Sequence, residues 1–467
     1  MALPTNPRMT GAFSPVGLFR WRQALGLDFH VVVTLLFRGW GILAGGITLV
    51  LLPLWLSPAQ QGYYYTFASL LALQVFFELG LSQVIIQLVG HEAAHLSFHE
   101  DGSIKGAPDR IARLGGIIKL LQRWYAVAAV LFMILGGLAG AIFFDRHGQV
   151  LAMSQWAPVW GIAVVLTAIN LYFSPQLAFI EGTGQVGQVA RLRLIQSMVG
   201  YSGLWLLLMT GADLWAAVAV PFVSACATRL WLRARGGWLK TQVADTSLIS
   251  WRCDVFPLQW RIAVSWACGY FIFSLFTPIV FASHGAAAAG RLGMAMSVFS
   301  AVTTLGLSWV NAKTPSFAMH VSRGESAILN HLFRGVAIRS IAITGLMGFM
   351  IVGLAALGAY YGVVAAQRIA EPITLFWIAT ASTVNTAVYA AAVYMRAHRE
   401  EPMLPVSVVS ALLTIVVVML LRNDVPRMMM GYAAIGGCVS MPWTFLLFRR
   451  YRTRHIVPAN QRSKTLT

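Results

Sequence analysis

Runs of twenty or more mostly apolar residues alternate along this chain with short polar stretches, and that rhythm recurs from end to end. A run of that length, wound as a helix, crosses a bilayer core. The pattern predicts membrane helices at 29–56, 62–90, 124–144, 156–180, 190–210, 214–232, 261–283, 286–311, 335–361, 373–394, 403–421 and 428–448. The sixth and seventh are separated by residues 233–260, a polar linker with Lys240, Asp245, Trp251 and Arg252. The expected organisation is a six-helix unit over 1–232, a cytoplasmic linker over 233–260, and a second six-helix unit over 261–467 with a basic tail.

The loop at 91–123 departs from this rhythm. Its end, DRIARLGGIIKLLQRW, places Ile111, Leu114, Ile118 and Leu121 on one face, with Arg113 and Lys119 elsewhere. That spacing predicts an amphipathic helix lying at the inner interface. The two halves also correspond. Residues 57–72 and 285–300 each follow a long span and a short outer loop, and Gly62 aligns with Gly290 at an offset of 228 residues. Both units begin on the same side of the membrane. They therefore read as parallel repeats about an axis along the membrane normal, a transporter arrangement.

Composition supports membrane burial. The chain is 58% hydrophobic and 11% charged, against about 25% charged in soluble domains. The net charge of +18 would suggest nucleic acid in a soluble protein. Here its distribution gives another meaning. With the N-terminus inside, the inner segments hold 27 Lys and Arg and the outer loops 4. That bias places both termini in the cytoplasm of a bacterial inner-membrane protein. A basic lining also suits an anionic cargo, and no nucleic-acid partner is expected. Cys226, Cys253, Cys268 and Cys438 form no CxxC pair and read as packing residues or free thiols. The N-terminus reads as uncleaved, because the first apolar run is too long for a signal core.

Two motifs look enzymatic. His91-Glu92-Ala93-Ala94-His95 matches HExxH, whose histidines on one helix face can hold zinc beside a glutamate base. It sits where the second span leaves the membrane, without an obvious third ligand, so it reads as a polar helix end. Gly182-Thr183-Gly184-Gln185-Val186-Gly187 matches GxGxxG, but it joins two membrane spans where a dinucleotide site needs a strand. No catalytic residue, metal or cofactor is assigned, and the chain reads as a non-enzyme.

Four segments carry a family likeness: PLWLSPAQQGYYYTFASLLALQVFFELGLSQVIIQ at 53–87, FIEGTGQVGQVARLRLIQ at 179–196, PLQWRIAVSW at 257–266, and AGRLGMAMSVFSAVTTLGLSWVNAKTPSFA at 289–318. In their order and spacing the chain resembles the polysaccharide-transport branch of the multidrug/oligosaccharidyl-lipid/polysaccharide exporter superfamily, the group containing O-antigen flippases. The resemblance implies an all-α membrane fold of two six-helix bundles around a central cavity, alternating access, and a lipid-linked glycan cargo. Glycan-synthesis proteins are then the expected protein partners.

Ionisable residues inside spans are the first functional candidates. Arg38 lies roughly 14 Å from the inner end of its span and Glu78 roughly 18 Å from the inner end of the next, depths that allow pairing. Arg38 could contact a pyrophosphate with Glu78 holding or releasing it, or the two could form a structural ion pair. Arg291 sits at the outer mouth of the eighth span, where it could meet a headgroup or snorkel; Arg261, Lys313 and Arg339 lie near inner ends, where snorkelling is the default. Gln83, Gln87 and Asn311 could bond sugar hydroxyls or bond across helices. Tyr63, Tyr64 and Tyr65 read as an interfacial belt. The leading function is a flippase for an isoprenoid-pyrophosphate-linked oligosaccharide. Behind it stand a drug or cation antiporter of the same superfamily, which should favour acidic lining residues, and a membrane zinc protease built on His91, Glu92 and His95.

Overall fold

The computed structural model describes residues 29–93, 96–98, 104–234, 251, 255–398 and 402–455. Among these, nine helices are long and apolar enough to cross a membrane, one bent pair forms a further span, and two shorter apolar helices complete twelve. The helices are α1 Phe29–Trp55, α2 Pro58–Glu78, α3 Leu81–Ala93, α4 Pro108–His147, α5 Met153–Gly182, α6 Val186–Met209 and α7 Asp213–Ala234 in the first half. The second half contains α8 Phe256–Phe273, α9 Phe276–His284, α10 Ala286–Arg323, α11 Ser326–Tyr360, α12 Pro372–Arg396, α13 Leu404–Leu420 and α14 Val425–Arg452. A two-residue antiparallel ladder, Ser97–Phe98 against Ile104–Lys105, closes the α3–α4 loop.

This is an all-α membrane protein. In the first half α1 packs on α6, α6 on α7, and α5 on α3, α4 and α7. In the second, α10 packs on α11 and α12, α11 on α12, α8 on α13, and α12 on α14. Its outward faces carry large exposed apolar side chains, among them Leu346, Met350 and Leu354 on α11 and Leu135, Leu138 and Ile142 on α4. Lipid is the solvent that such faces require.

The second span is built from defined local signals. Ser57 caps it: its Oγ accepts from the Gln60 N–H at 3.2 Å while Gln60 Oε1 accepts from the Ser57 N–H at 2.8 Å. Pro58 occupies the first turn, where its missing N–H costs nothing. The helix then breaks. Leu79 (φ 51°) and Gly80 (φ 67°) are both left-handed, and α3 leaves at 44° to α2. A Cβ on Gly80 would fall 2.4 Å from Ile262 Cγ2 of α8, so the position needs glycine for space as well as for φ. The seventh span is interrupted as well, at Ser274–Leu275 between α8 and α9.

Three sequence expectations change here. The amphipathic stretch at 108–123 is no separate interfacial helix. It runs without interruption into the third span as α4, 40 residues long, with Leu114, Ile118 and Leu121 buried against the bundle. No proline or capping residue interrupts it after Pro108, so helical propagation continues. The eighth and ninth spans extend well beyond their apolar cores, to Arg323 and from Ser326. Tyr63 and Tyr65 are 0% and 7% exposed, which excludes the interfacial belt for them. Tyr63 packs among Phe67, Phe144 and Phe281 and donates its hydroxyl to the Gly148 carbonyl.

Topology remains an expectation from charge. Reporter fusions after residues 150 and 365 should read as external, and one after 240 as cytoplasmic. A cytoplasmic signal at 150 would invert the assignment of every loop.

Candidate functional site

The two halves meet along α2 and α10, and the contact is closest at their first turns. A Cβ on Gly62 would fall 1.9 Å from the Ala286 carbonyl oxygen. A Cβ on Gly290 would lie 2.8 Å from the Gly62 nitrogen, and one on Gly293 would lie 2.4 Å from Tyr65 Cβ. Backbone therefore touches backbone. Gly62 and Gly290, the pair aligned between the halves, face each other across this seam. Equivalent residues of two repeats can meet only beside the axis relating them, so the contact fits a parallel repeat. Gln61 fastens the seam: Nε2 donates to the Gly290 carbonyl at 3.0 Å and to the Arg368 carbonyl at 3.1 Å.

Below this pinch the helices part. Beyond the break, α3 packs on α5 and α8, while α10 continues along α11 and α12. The surfaces they leave open are polar. On α10, Ser300, Thr304 and Ser308 are exposed at successive turns, and Asn311 is half-buried one turn on. On α3, Gln83 and Gln87 are exposed at the same four-residue interval. A face turned to lipid should be apolar, as on α11, whereas a polar face at this depth belongs to a wet cavity. Thr304 and Ser308 donate to their own helix, to the Ser300 and Leu305 carbonyls, which leaves hydroxyl lone pairs outward. Asn311 Oδ1 lies 3.5 Å from the Tyr389 hydroxyl of α12. The two halves are thus in backbone contact at the α2–α10 first turns, and the exposed polar positions lie toward the other ends of these helices.

The sequence candidates are distributed unevenly over this site. Gln83 lies on the exposed polar face of α3 and Asn311 is half-buried at the end of the polar row on α10. Arg291 is exposed in the first turns of α10, beside the pinch and away from the polar face. Arg38 belongs to α1, but its side chain lies outside the described residues. Glu78 ends α2 at the break. Its carboxylate accepts a 2.5 Å hydrogen bond from Ser82 Oγ, which lies 3.2 Å from the Tyr125 hydroxyl of α4. These partners belong to the first half, so Glu78 is tied into its own bundle. Sequence reasoning missed Ser300, Thr304 and Ser308. Their i, i+4, i+8 spacing within an apolar run was the available signal.

The HExxH glutamate has a structural engagement. Glu92 is 7% exposed, and its two oxygens lie 3.4 Å from Arg110 Nη1 and 3.5 Å from Arg113 Nε, pinning the end of α3 to the start of α4. A carboxylate so occupied is a poor general base. His95 lies outside the described residues, and no cluster of metal-ligating side chains occurs among the described ones. Metal analysis of purified protein is expected to find no stoichiometric zinc; zinc that is lost on His95→Ala would overturn this. The GxGxxG segment is the α5–α6 turn. Gly184 is left-handed at φ 87°, and a Cβ on Gly182 would meet Val89 Cβ at 2.8 Å. It brings two helices together and joins no strand. Arg193 and Glu181 bridge that turn at 2.8 Å.

No family model and no curated protein sequence matches this chain. Solved structures do. The chain is similar to an inward-facing multidrug resistance MATE family transporter of the MOP superfamily, with TM-score 0.55 and 12% identity over 91% of this chain and 96% of that one. It is similar to the lipid II flippase MurJ in an inward closed conformation, with TM-score 0.58 and 11% identity over 90% and 87%. It is also similar to the eukaryotic MATE transporter AtDTX14, with TM-score 0.52 and 13% identity over 93% and 99%. These likenesses show the fold: twelve helices in two six-helix bundles about a central cavity.

Proposed function

We propose that this protein is a flippase of the bacterial inner membrane that carries an anionic lipid-linked oligosaccharide or polysaccharide precursor by alternating access. The observation that carries the reading is the face of α10 at Ser300, Thr304, Ser308 and Asn311, with Gln83 and Gln87 on α3. Hydroxyls and amides both donate and accept, as sugar hydroxyls do. A cationic drug would call for acidic lining. Glu78 is the acid at depth among the described residues, and its hydrogen-bonded partner Ser82 and the nearby Tyr125 lie within the first half. A basic inner surface suits the pyrophosphate. The fold shared with a lipid II flippase is compatible with such a cargo, as is the pinch: opening the α2–α10 seam while the opposite ends close would expose the polar face to the other side.

The test uses purified protein in vesicles with a fluorescent polyprenyl-pyrophosphate oligosaccharide, scored by protection from an external glycosidase. The variants come from the polar face itself. Thr304→Val with Ser308→Ala should lower transport at least about tenfold, from two lost hydrogen bonds of about 1 kcal/mol each, at unchanged abundance. Export of organic cations without glycan transport would replace this reading with the antiporter.

A further inference from the structure

Buried side-chain polar atoms usually have hydrogen-bond partners, and each exception calls for a reason. Among the described residues, the buried atoms without one are Trp40 Nε1, Gln61 Oε1, Tyr65 OH, Thr66 Oγ1, Gln188 Oε1, Ser340 Oγ and Arg368 Nη1. Gln61, Tyr65 and Thr66 sit together on the first turns of α2. Arg368 adjoins them, because its carbonyl accepts from Gln61 Nε2. The unsatisfied polarity therefore gathers where the two halves touch.

Two of these side chains are covered by the opposite half. Gln61 reaches across the seam to the Gly290 carbonyl and is shielded on α2. Tyr65 has α10 as one wall: a Cβ on Gly293 would lie 2.4, 2.7 and 3.1 Å from its Cβ, Cγ and Cδ2. Met294 of α10 packs on the apolar cluster that contains Tyr65. Thr66 follows Gly62 by one turn and is fully buried. Ser57 and Pro58, at the head of the seam, are exposed, so water stands at its entrance. Parting α2 from α10 admits that water to Gln61 and to the Tyr65 ring, and closing strips it away.

Two sets of terms therefore oppose each other in the closed seam. Close backbone packing at Gly62, Gly290 and Gly293 and the two bonds from Gln61 Nε2 hold it shut. Against them, a polar atom shut away without a partner forfeits its bond to water. We infer that Gln61 Oε1, Tyr65 OH and Thr66 Oγ1 form a conformational bias built into the seam, which keeps its closed state close in free energy to the open one. An apolar seam of equal closeness would stay shut. Cargo or ion can move a two-state equilibrium only by the difference in its affinity for the two states, so a small gap lets a modest difference drive the cycle.

The bias rests on alternating access and not on the identity of the cargo, so its test needs no cargo and leaves the flippase reading untouched. The probe is Ala289→Cys in a chain whose four native cysteines are replaced, held in nanodiscs and labelled with an impermeant maleimide; Ala289 is fully buried in the closed seam. Gln61→Met removes the bonds to Gly290 and Arg368 and should speed labelling at least about threefold, which also sets a rate fast enough to measure. Tyr65→Phe combined with Thr66→Val keeps both shapes and removes two shielded hydroxyls. In either background it should slow labelling at least about tenfold and raise the melting temperature. Labelling unchanged or accelerated by the double variant, or a lowered melting temperature, would overturn the inference, because the hydroxyls would then be satisfied in the closed seam or would help to hold it.

Discussion

Gly62→Val should yield a protein that reaches the membrane in normal amount and transports at less than about one-tenth of the wild-type rate. A Cβ at this position falls 1.9 Å from the Ala286 carbonyl oxygen, and the obstacle is backbone, which no rotamer change relieves. The α2 and α10 first turns must therefore separate. Overpacking costs about 1–3 kcal/mol, and here it applies only to the conformation in which this end is shut. A penalty of about 3 kcal/mol on one of two states shifts their ratio by roughly 150-fold. The open state escapes the penalty, so folding is spared while cycling is not. Gly62→Ala should behave likewise but less severely. The measurement pairs transport with labelling of an Ala289→Cys probe by an impermeant maleimide, with Cys226, Cys253, Cys268 and Cys438 replaced. Ala289 is fully buried in the closed seam, so labelling should be slow in the parent and fast with Gly62→Val. Wild-type transport by Gly62→Val would refute the pinch as a gate that must close.

The parts of the fold that follow from length and polarity could be read from the chain. Twenty-residue apolar blocks marked the spans and led to the matching of Gly62 with Gly290, which meet at the α2–α10 contact; most of the expected linker at 233–260 lies outside the described residues. What escaped depends on which face a residue presents. Tyr63, Tyr64 and Tyr65 occur in series near a membrane boundary, as belt residues do, yet burial by α9 and α10 places two of them in the core. The break after Glu78 contains no proline. Gly80 was its only mark, and the reason for it is Ile262, far away in sequence. The HExxH glutamate is held by arginines 18 and 21 positions further on, a pairing that no local pattern announces. Ser300, Thr304 and Ser308 are inconspicuous in an apolar run until packing shows that their face is uncovered.

Arg38 should be required for transport, more so than Arg261 or Arg339. Depth is the reason. Arg261 is exposed with its guanidinium over the Trp260 ring, and Arg339 is exposed on α11 near the inner end of its apolar run, so both can reach polar surroundings by extending. Arg38 lies about 14 Å along its helix from the inner end, which leaves protein or a wet cavity as its environment. In the cavity its guanidinium can fork onto two phosphate oxygens, which a lysine ammonium does less well. Arg38→Ala should therefore cut transport by about two orders of magnitude, from roughly 3 kcal/mol of charge-assisted bonding, and Arg38→Lys by about tenfold. A structural Arg38–Glu78 pair forecasts something else: Arg38→Ala lowers abundance, and adding Glu78→Ala restores it, because no buried charge is then left alone. The arrangement around Glu78 favours the first outcome. Its carboxylate already accepts from Ser82, close to the Tyr125 hydroxyl, so losing Arg38 does not strip it of partners. Transport of labelled lipid-linked oligosaccharide, normalised to folded protein, decides between them. A normal rate from Arg38→Ala at normal abundance would remove Arg38 from phosphate binding altogether.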